Sequence, residues 1–388
     1  MRQEPALGRT VAAILATSWR PTPSPYRGAS AQLDAVLPCL TGSGAAALGW
    51  WRLGASPAAL PAECRPAALH DAARLLAVND MLRQRALARI ASILNRHGIV
   101  PVLIKGWAAG RHYAESYLRP YGDFDLLVRP VDLAKARDVL VRHAAARPGF
   151  ADPNVFSIAT DTGFYDVDLH DRLSDAYALP VDAVFARAEQ MTLPSGGTLL
   201  TPCLEDHLRI VILHFLRHGG WRPLWLCDVA AMTEAAGPTF DWELFFGADA
   251  RLRGWLQATI AAAVELLECT PSHLPAEAIM PCPRWLVRAL LEEWRAPYAQ
   301  RAMPPPGTEF RDPIAWLRGK WPNPIRATLL RGAPVTSNRQ RRHQLALFAI
   351  AEIPRALSRV FTRAWWQRLR ASLLARKPFQ TAAGQVDA

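Results

Sequence analysis

The chain has 388 residues, of which 51% are hydrophobic and 20% are charged, and these fractions are ordinary for a globular protein with a substantial core. No apolar run reaches the roughly 20 residues of a membrane span, and the first residues carry no secretory signal, so we expect a cytoplasmic protein. The formal net charge of +11 favours anionic partners such as nucleotide phosphates, and the six cysteines form no Cys-x-x-Cys pair, which argues against a zinc or disulfide framework.

Residues 1–97 are predicted to form an N-terminal helical region. Up to residue 70, short apolar runs alternate with proline and glycine, which is typical of short helices joined by loops. From residue 72 to 96, apolar residues recur with a helical period, and Gly98 follows as a C-terminal cap. The sequence therefore predicts one long helix directly before the next region.

Residues 98–203 alternate between strand and helix patterns and are predicted to form an α/β core. Their β-branched apolar runs are too short for helices, whereas the segments between them are long enough for several helical turns. Asp132 is placed to cap one of these helices at its N-terminus. The predicted elements are a strand over 99–104, a helix over 107–117, a strand over 123–128, a helix over 133–142 and a strand over 164–169.

Residues 204–300 return to helical periodicity and are predicted to form a helical domain. Glycine and proline separate the apolar-faced segments, so each is expected to be a distinct helix. The predicted helices cover 205–215, 222–235, 241–246, 251–269 and 284–295.

Residues 301–388 are predicted to form a proline-rich linker and a basic amphipathic helix. Prolines are frequent from 303 to 334, and beyond 338 arginines are interleaved with aliphatic and aromatic residues. A basic amphipathic helix suits docking on a membrane surface, a partner protein, a nucleic acid or the body of the chain itself. The sequence alone leaves these partners open.

Asp123 and Asp125 are separated by one residue within the predicted strand over 123–128. Because side chains alternate along a strand, both carboxylates leave the same face, whereas Phe124 and Leu126 point into the core. Two neighbouring carboxylates repel each other unless a cation lies between them. Mg²⁺ prefers such oxygen ligands and shares its coordination between carboxylates and phosphates. The pair therefore predicts a site for Mg²⁺ and a nucleotide.

A third carboxylate is expected on a later strand of the same sheet. Nucleotidyl transfer uses two metal ions, which several carboxylates hold on one face. In the segment 164–170, apolar residues alternate inward, while Asp166, Asp168 and His170 face the opposite way. Either aspartate fits this position, and His170 is expected to orient Asp168, to contact substrate or to be structural.

These motifs, in this order, resemble those of the polymerase-β-like nucleotidyltransferase superfamily, whose signature is a glycine turn, a helix, an acidic-x-acidic strand and a distant third carboxylate. More narrowly, the chain is similar to the bacterial family described as uncharacterised nucleotidyltransferases, some members of which occur in biosynthetic clusters for lasso peptides. The resemblance extends over about residues 70 to 280. It is carried by the segments 102–106, 119–128, 167–170, 205–214, 225–229 and 241–242.

The resemblance implies an α+β fold, with a small polymerase-β-like mixed sheet flanked by N-terminal and C-terminal helical regions. It also implies a Mg²⁺-dependent enzyme that moves a nucleoside monophosphate, AMP in the first instance, from an NTP to a hydroxyl, phosphate or carboxylate. The acceptor would be a small molecule or a peptide natural product. Asp123 and Asp125 match the metal-binding pair, and Asp168 matches the third carboxylate, with Asp166 as the alternative. Two Mg²⁺ ions are expected.

Gly106 matches the turn glycine that lets a triphosphate approach backbone amides at a helix N-terminus. The superfamily commonly places serine or a second glycine next, where this chain has the bulky Trp107. We therefore expect Lys105 and Arg119 to supply the positive charge that binds the triphosphate.

Two other functions remain open on the sequence. One is a toxin-like transferase acting on tRNA, which would need a continuous basic surface leading to the cleft. The other is a non-catalytic nucleotide-binding scaffold, which is favoured if Trp107 fills the phosphate site. His214 and His218 have the spacing of a zinc-ligand pair, and Asp228 is expected to contact the base or acceptor or to cap a helix.

Overall fold

The computed structural model describes residues 5–28, 32–55, 65–144, 153–173, 179–193, 197–295 and 323–336, together with 342, 343, 346, 347 and 350. Most of the predicted linker and nearly all of the predicted basic helix beyond residue 338 lie outside these residues. In the described part of the chain, no helix is long and apolar enough to cross a membrane.

A six-stranded mixed sheet forms the centre of the fold, in the order β3-β4-β2-β1-β6-β5. The neighbours β2 and β4 run parallel, as do β1 and β6, and the remaining neighbours are antiparallel. The strands are Val102–Leu103 (β1), Asp123–Leu127 (β2), Val155–Thr160 (β3), Gly163–His170 (β4), Glu189–Thr192 (β5) and Thr198–Thr201 (β6).

Helices precede, cover and follow this sheet. The α+β class predicted from the resemblance is confirmed, and the helices predicted after residue 204 are all present with bounds shifted by at most a few residues. The helices are Ala6–Leu15 (α1), Leu33–Gly42 (α2), Ala46–Gly54 (α3), Ala67–Asn95 (α4), Trp107–Gly110 (α5), Leu133–Val141 (α6), Val181–Arg187 (α7), Leu204–Arg217 (α8), Pro223–Ala235 (α9), Trp242–Phe246 (α10), Ala250–Leu267 (α11), Arg284–Trp294 (α12) and Pro324–Leu330 (α13).

The two faces of the sheet belong to two different hydrophobic cores. Leu103, Phe124 and Leu126 point to one face, where they pack with the second half of α4 and with α6. Val102 and Leu127 point to the other face and join the core formed by α1–α3 and α8–α12. The N-terminal helices and the helical domain therefore share one core, and the functional face of the sheet looks toward it.

The first predicted strand and the helix after it are shorter than expected. β1 has two residues, because Pro101 has no N–H to donate and can only accept a hydrogen bond, from Leu200. The helix predicted over 107–117 ends after one turn at Gly110, where a Cβ would lie 3.3 Å from the Ser116 carbonyl oxygen. The chain folds back at this glycine too closely for the helix to continue.

Three strands, β3, β5 and β6, were not predicted. β3 pairs with β4 as a hairpin, and β5 pairs with β6 at the opposite edge of the sheet. β5 and β6 have four residues each and contain polar residues such as Gln190 and Thr192. Their alternation of apolar and polar residues is too short to be recognised as a strand pattern.

Candidate active site

The parallel pairing of β2 with β4 brings the predicted carboxylates together. Asp125 lies opposite Asp168 in the register, and Asp123 lies opposite Asp166. Phe124 and Leu126 are buried on the other face, as predicted. Since the side-chain period of a strand is two, all four carboxylates share the face that looks toward the helical domain.

Asp125, Asp168 and His170 form what we call the acidic cluster. One ligand atom from each lies within 4.8 Å of the other two. The His170 Nε2 atom is 3.2 Å from Asp125 Oδ1 and 3.3 Å from Asp168 Oδ2. Asp123 and Asp166 are not members, although Asp123 begins the same strand and is exposed. The geometry therefore favours Asp168 over Asp166 as the third carboxylate.

Lys105 binds directly to the acidic cluster. Its Nζ atom donates to Asp125 Oδ1 at 2.5 Å, and both side chains are largely buried. The backbone fixes this contact, because the Ile104 amide donates to the Asp125 carbonyl oxygen and places the end of β1 beside β2. The predicted phosphate-binding lysine thus lies at the carboxylates themselves.

Interactions within the acidic cluster and with Lys105 shift the pKa values of its side chains. Burial alone would raise the pKa of the Asp125 carboxyl, but Lys105 and His170 lower it below its usual range. Burial would lower the pKa of His170, yet its hydrogen bonds to Asp125 and Asp168 raise it to about 9. The pKa of Asp123 is raised by the partial desolvation of its carboxyl among the surrounding side chains and by repulsion from Asp125. Two cationic side chains therefore balance the carboxylates.

The donor set of the acidic cluster fits a divalent metal ion. Two carboxylates on adjacent strands supply the hard oxygen ligands that Mg²⁺ prefers, and the His170 nitrogen is also acceptable to Mn²⁺. Lys105 and His170 now neutralise the oxygens that such an ion would take. Asp125 and Asp168 would hold the ion, and Asp123 is positioned to contribute from the same face.

Gly106 and Trp107 form the turn after Lys105. Gly106 has φ +66° and ψ −122°, a conformation that is essentially restricted to glycine. Trp107 is 8% exposed and packs in the core on the opposite face of the sheet, with Leu103 and Tyr121. The indole therefore does not fill the phosphate site, and the observation that would favour a non-catalytic scaffold is not found.

Substituting Gly106 by alanine is expected to lower the free energy of unfolding by about 1–3 kcal/mol, because alanine is strained at this φ and ψ. A Cβ there would also lie 3.4 Å from Tyr121. Gly122→Ala is the matched control, since a Cβ at Gly122 meets nothing within 4 Å and its φ is not positive. Urea denaturation of both variants measures the difference. Equal stabilities would mean that the turn relaxes without strain.

Arg119 is held by a different partner from the one predicted. Its guanidinium donates to both Asp228 oxygens, with Nη2 2.8 Å from Oδ2, and the side chains are only 6% and 1% exposed. A triphosphate could reach Arg119 only by breaking this ion pair, so phosphate binding by Arg119 stays a prediction that the geometry does not favour. Asp228 lies inside α9 and also accepts from the Tyr113 hydroxyl at 2.7 Å, so the prediction that it caps a helix is wrong. Its contact with the base or acceptor stays a prediction.

An aromatic cluster lies on α8, on α9 and in the connection between them, beside the acidic cluster, and consists of His214, His218, Trp221 and Trp225. The ring centroids of His214 and His218 are 4.5 Å apart, and His214 lies 4.5 Å from Trp225. Burial and the neighbouring Lys105 lower the pKa of His214 to about 2, so its imidazole is neutral. The two histidines pack against each other and Trp225 and, in the described residues, belong to no group of metal ligands.

Arg222 is a functional candidate that sequence reasoning missed. It lies directly before α9, its guanidinium is 5.5 Å from the Trp225 ring centroid, and its Nε donates to the Ser43 carbonyl oxygen at 2.6 Å. Nothing in the sequence distinguishes Arg222 from the many other arginines. Only the packing of α9 against the sheet brings it near Asp123, whose charge acts on it.

Comparison with known proteins identifies the family of the chain. No curated protein matches the chain. The structure of an antigenic nucleotidyltransferase-like protein from Paracoccidioides brasiliensis is similar at 14% identity, with 51% of this chain and 94% of that chain covered and a TM-score of 0.38. A family model described as uncharacterised nucleotidyltransferase matches residues 30–267, which include β1, β2 and the whole acidic cluster. On that match, the chain belongs to this family of nucleotidyltransferases.

Proposed function

We propose that the chain transfers a nucleoside monophosphate from an NTP, with ATP as the first candidate, to an acceptor hydroxyl, phosphate or carboxylate. The observation that carries the proposal is the acidic cluster, in which Asp125 and Asp168 meet across parallel strands with Lys105 beside them. Carboxylates in such an arrangement suit Mg²⁺, and a glycine-only turn follows the lysine directly.

The chain's own residues have separate roles in this reaction. Asp123, Asp125 and Asp168 would hold Mg²⁺, which when bound neutralises charge on the transferred phosphate and on the leaving pyrophosphate. Gly106, which has no side chain, would let the triphosphate approach the backbone at this turn, and Lys105 would supply a positive charge next to it. A new bond joins the acceptor oxygen to the α-phosphorus while the bond from that phosphorus to the bridging oxygen breaks, releasing pyrophosphate. Asp168 accepts the proton when the acceptor is a hydroxyl.

Metal binding tests the site without any acceptor. Mg²⁺ or Mn²⁺ is expected to raise the melting temperature of the wild-type protein, because an ion that binds only the folded state stabilises it. Asp168→Asn should abolish most of that shift, whereas Asp161→Asn, a change in an exposed aspartate of the β3–β4 turn, should preserve it. The same shift in wild type and Asp168→Asn would place the ion elsewhere.

Transfer itself is tested with α-³²P-labelled NTPs, Mg²⁺ and cell extract, with pyrophosphate measured in parallel. Labelled small molecules or peptides are expected together with pyrophosphate, and EDTA should abolish both. Label on RNA would favour the tRNA-modifying alternative. A folded protein that binds metal yet yields neither label nor pyrophosphate would contradict the proposal.

A further inference from the structure

A cavity of about 330 Å³ opens beside the start of β2. Gly122 lines it and directly precedes Asp123, so the cavity ends one residue from the carboxylate face. Leu75 lines it and is 61% exposed, which shows that the cavity reaches solvent along α4. We call it the α4 cavity. Its apolar wall consists of Ala46 on α3, Ala72, Leu75 and Leu76 on α4, and Pro120 and Tyr121 before β2.

Arg222 is the charged side chain among the described residues that line this mostly apolar cavity. Its Nη2 atom lies only 2.5 Å from the position that a Cβ on Gly44 would take, so the absence of a side chain at Gly44 makes room for the guanidinium. In the part of the chain that the structure describes, Arg222 donates to the Ser43 carbonyl oxygen and forms no ion pair with a carboxylate. Burial and the nearby Arg119 lower the pKa of Arg222 to about 10, which leaves it protonated at neutral pH.

A half-buried guanidinium that forms no ion pair with a carboxylate favours the binding of an anion, because removing an unpaired charge from water costs free energy. One guanidinium balances one negative charge, which matches a carboxylate better than a phosphomonoester of nearly two charges. The remaining wall is mostly aliphatic and aromatic carbon, and Thr41 and the buried Tyr121 are its further side chains with a hydroxyl group. A nucleobase, with several donors and acceptors on its edge, would leave them unpaired there.

We propose that the α4 cavity binds the acceptor, and that the acceptor is a small apolar carboxylic acid. Its apolar body lies between α3 and α4, and Arg222 binds its carboxylate at the end of the cavity nearest the start of β2. The proposal rests on the proposed nucleotidyl transfer, whose acceptor it specifies. The carboxylate oxygen bonds to the α-phosphorus, the bond from that phosphorus to the pyrophosphate oxygen breaks, and the products are an acyl nucleotide and pyrophosphate. The carboxylate enters ionised, so no proton is transferred.

Binding of octanoate, measured by isothermal titration calorimetry, tests the location. Arg222→Gln is expected to weaken octanoate binding about tenfold through loss of a charge-assisted hydrogen bond. Octanol, which has no carboxylate, should bind the wild type about tenfold more weakly than octanoate for the same reason. Ala72→Phe should abolish binding by filling the cavity. Arg89→Gln and Ala67→Phe are the matched controls, because both positions are exposed on α4 and neither residue lines the cavity.

Three results would overturn the site: no octanoate binding to the wild type at millimolar concentration, equal binding by Ala72→Phe, or equal affinity for octanol. Tighter binding of octyl phosphate than of octanoate would overturn the choice of a carboxylate. Ala72→Phe keeps Arg222 intact, so the test stands even if Arg222→Gln fails to fold.

Reaction products separate this proposal from the one on which it rests. Hydroxylamine converts an acyl nucleotide to a hydroxamate, which is expected with wild type, ATP and octanoate or 4-phenylbutanoate. Asp168→Asn should give no hydroxamate while still binding octanoate. Octanoate binding without label transfer to any acceptor would refute the nucleotidyl transfer and leave the cavity as an acid-binding site. Label transfer to a hydroxyl acceptor that octanoate does not inhibit would refute only the acceptor assignment.

Discussion

Asp125→Asn is expected to reduce nucleotidyl transfer by about a thousandfold or more, which corresponds to about 4 kcal/mol of lost transition-state stabilisation. The substitution keeps the side-chain size but removes the charge that faces Lys105, His170 and the proposed metal ion. It also leaves the partly buried Lys105 without its carboxylate. Turnover of labelled NTP at saturating Mg²⁺ measures the loss, and circular dichroism reports whether the variant is folded.

Asp166→Asn is the matched control for the metal ligands, because Asp166 lies on the same strand as Asp168 and faces the same way. The Asp166→Asn variant should keep its activity and the Asp168→Asn variant should lose it, since Asp168 belongs to the acidic cluster and Asp166 does not. The reverse pattern would make Asp166 the third carboxylate. A folded, metal-binding Asp125→Asn variant with wild-type turnover would remove the acidic cluster from the mechanism.

Arg119→Ala is expected to lower the free energy of unfolding by about 3–5 kcal/mol, the largest stability effect that we predict. Removing one partner of a buried ion pair leaves the other charge uncompensated. Here the group left without a partner charge would be Asp228, which is 1% exposed and, among the described residues, would keep only its hydrogen bond from Tyr113. Urea denaturation monitored by tryptophan fluorescence gives the free energy of unfolding.

The exposed pair between Arg129 and Asp182 is the control for this prediction. Its side chains are 46% and 87% exposed, and pairs of this kind contribute about 0–1 kcal/mol. Arg129→Ala should therefore leave the denaturation midpoint nearly unchanged. The double substitution of Arg119 and Asp228 by methionine and leucine is expected to be milder than Arg119→Ala, because no charge is stranded. Equal midpoints for Arg119→Ala and Arg129→Ala would mean that water reaches Asp228.

Much of the fold was predictable because local pattern and tertiary environment agree. α4 and α8–α12 carry their apolar residues at helical spacing, and each of these helices appears where the sequence predicts it. The alternation in β2 and β4 predicted which side chains share a face, including the face of Asp125 and Asp168. A two-residue period leaves no other arrangement once the apolar side of the strand is known.

What the sequence did not predict depends on contacts between distant segments. From the sequence, Arg119 is a cation next to an acidic strand that is available to bind phosphate. In the structure, α9 packs nearby and its Asp228 forms an ion pair with Arg119. Arg222 becomes distinctive only through Ser43 and Gly44, which are almost 180 residues away along the chain. β5 and β6 are recognisable mainly by their pairing with each other and with β1. Single-chain periodicity contains no information about such partners.

The continuity of α4 constrains how the molecule can open. Its 29 residues contain neither glycine nor proline and extend about 43 Å at 1.5 Å per residue. The first half packs with α3 and supplies Ala72 and Leu75 to the α4 cavity, and the second half covers the sheet. Bending the helix between these halves would break backbone hydrogen bonds. α4 therefore connects the two hydrophobic cores rigidly. Any hinge for substrate entry must therefore lie in another connection, such as the short segment between β6 and α8.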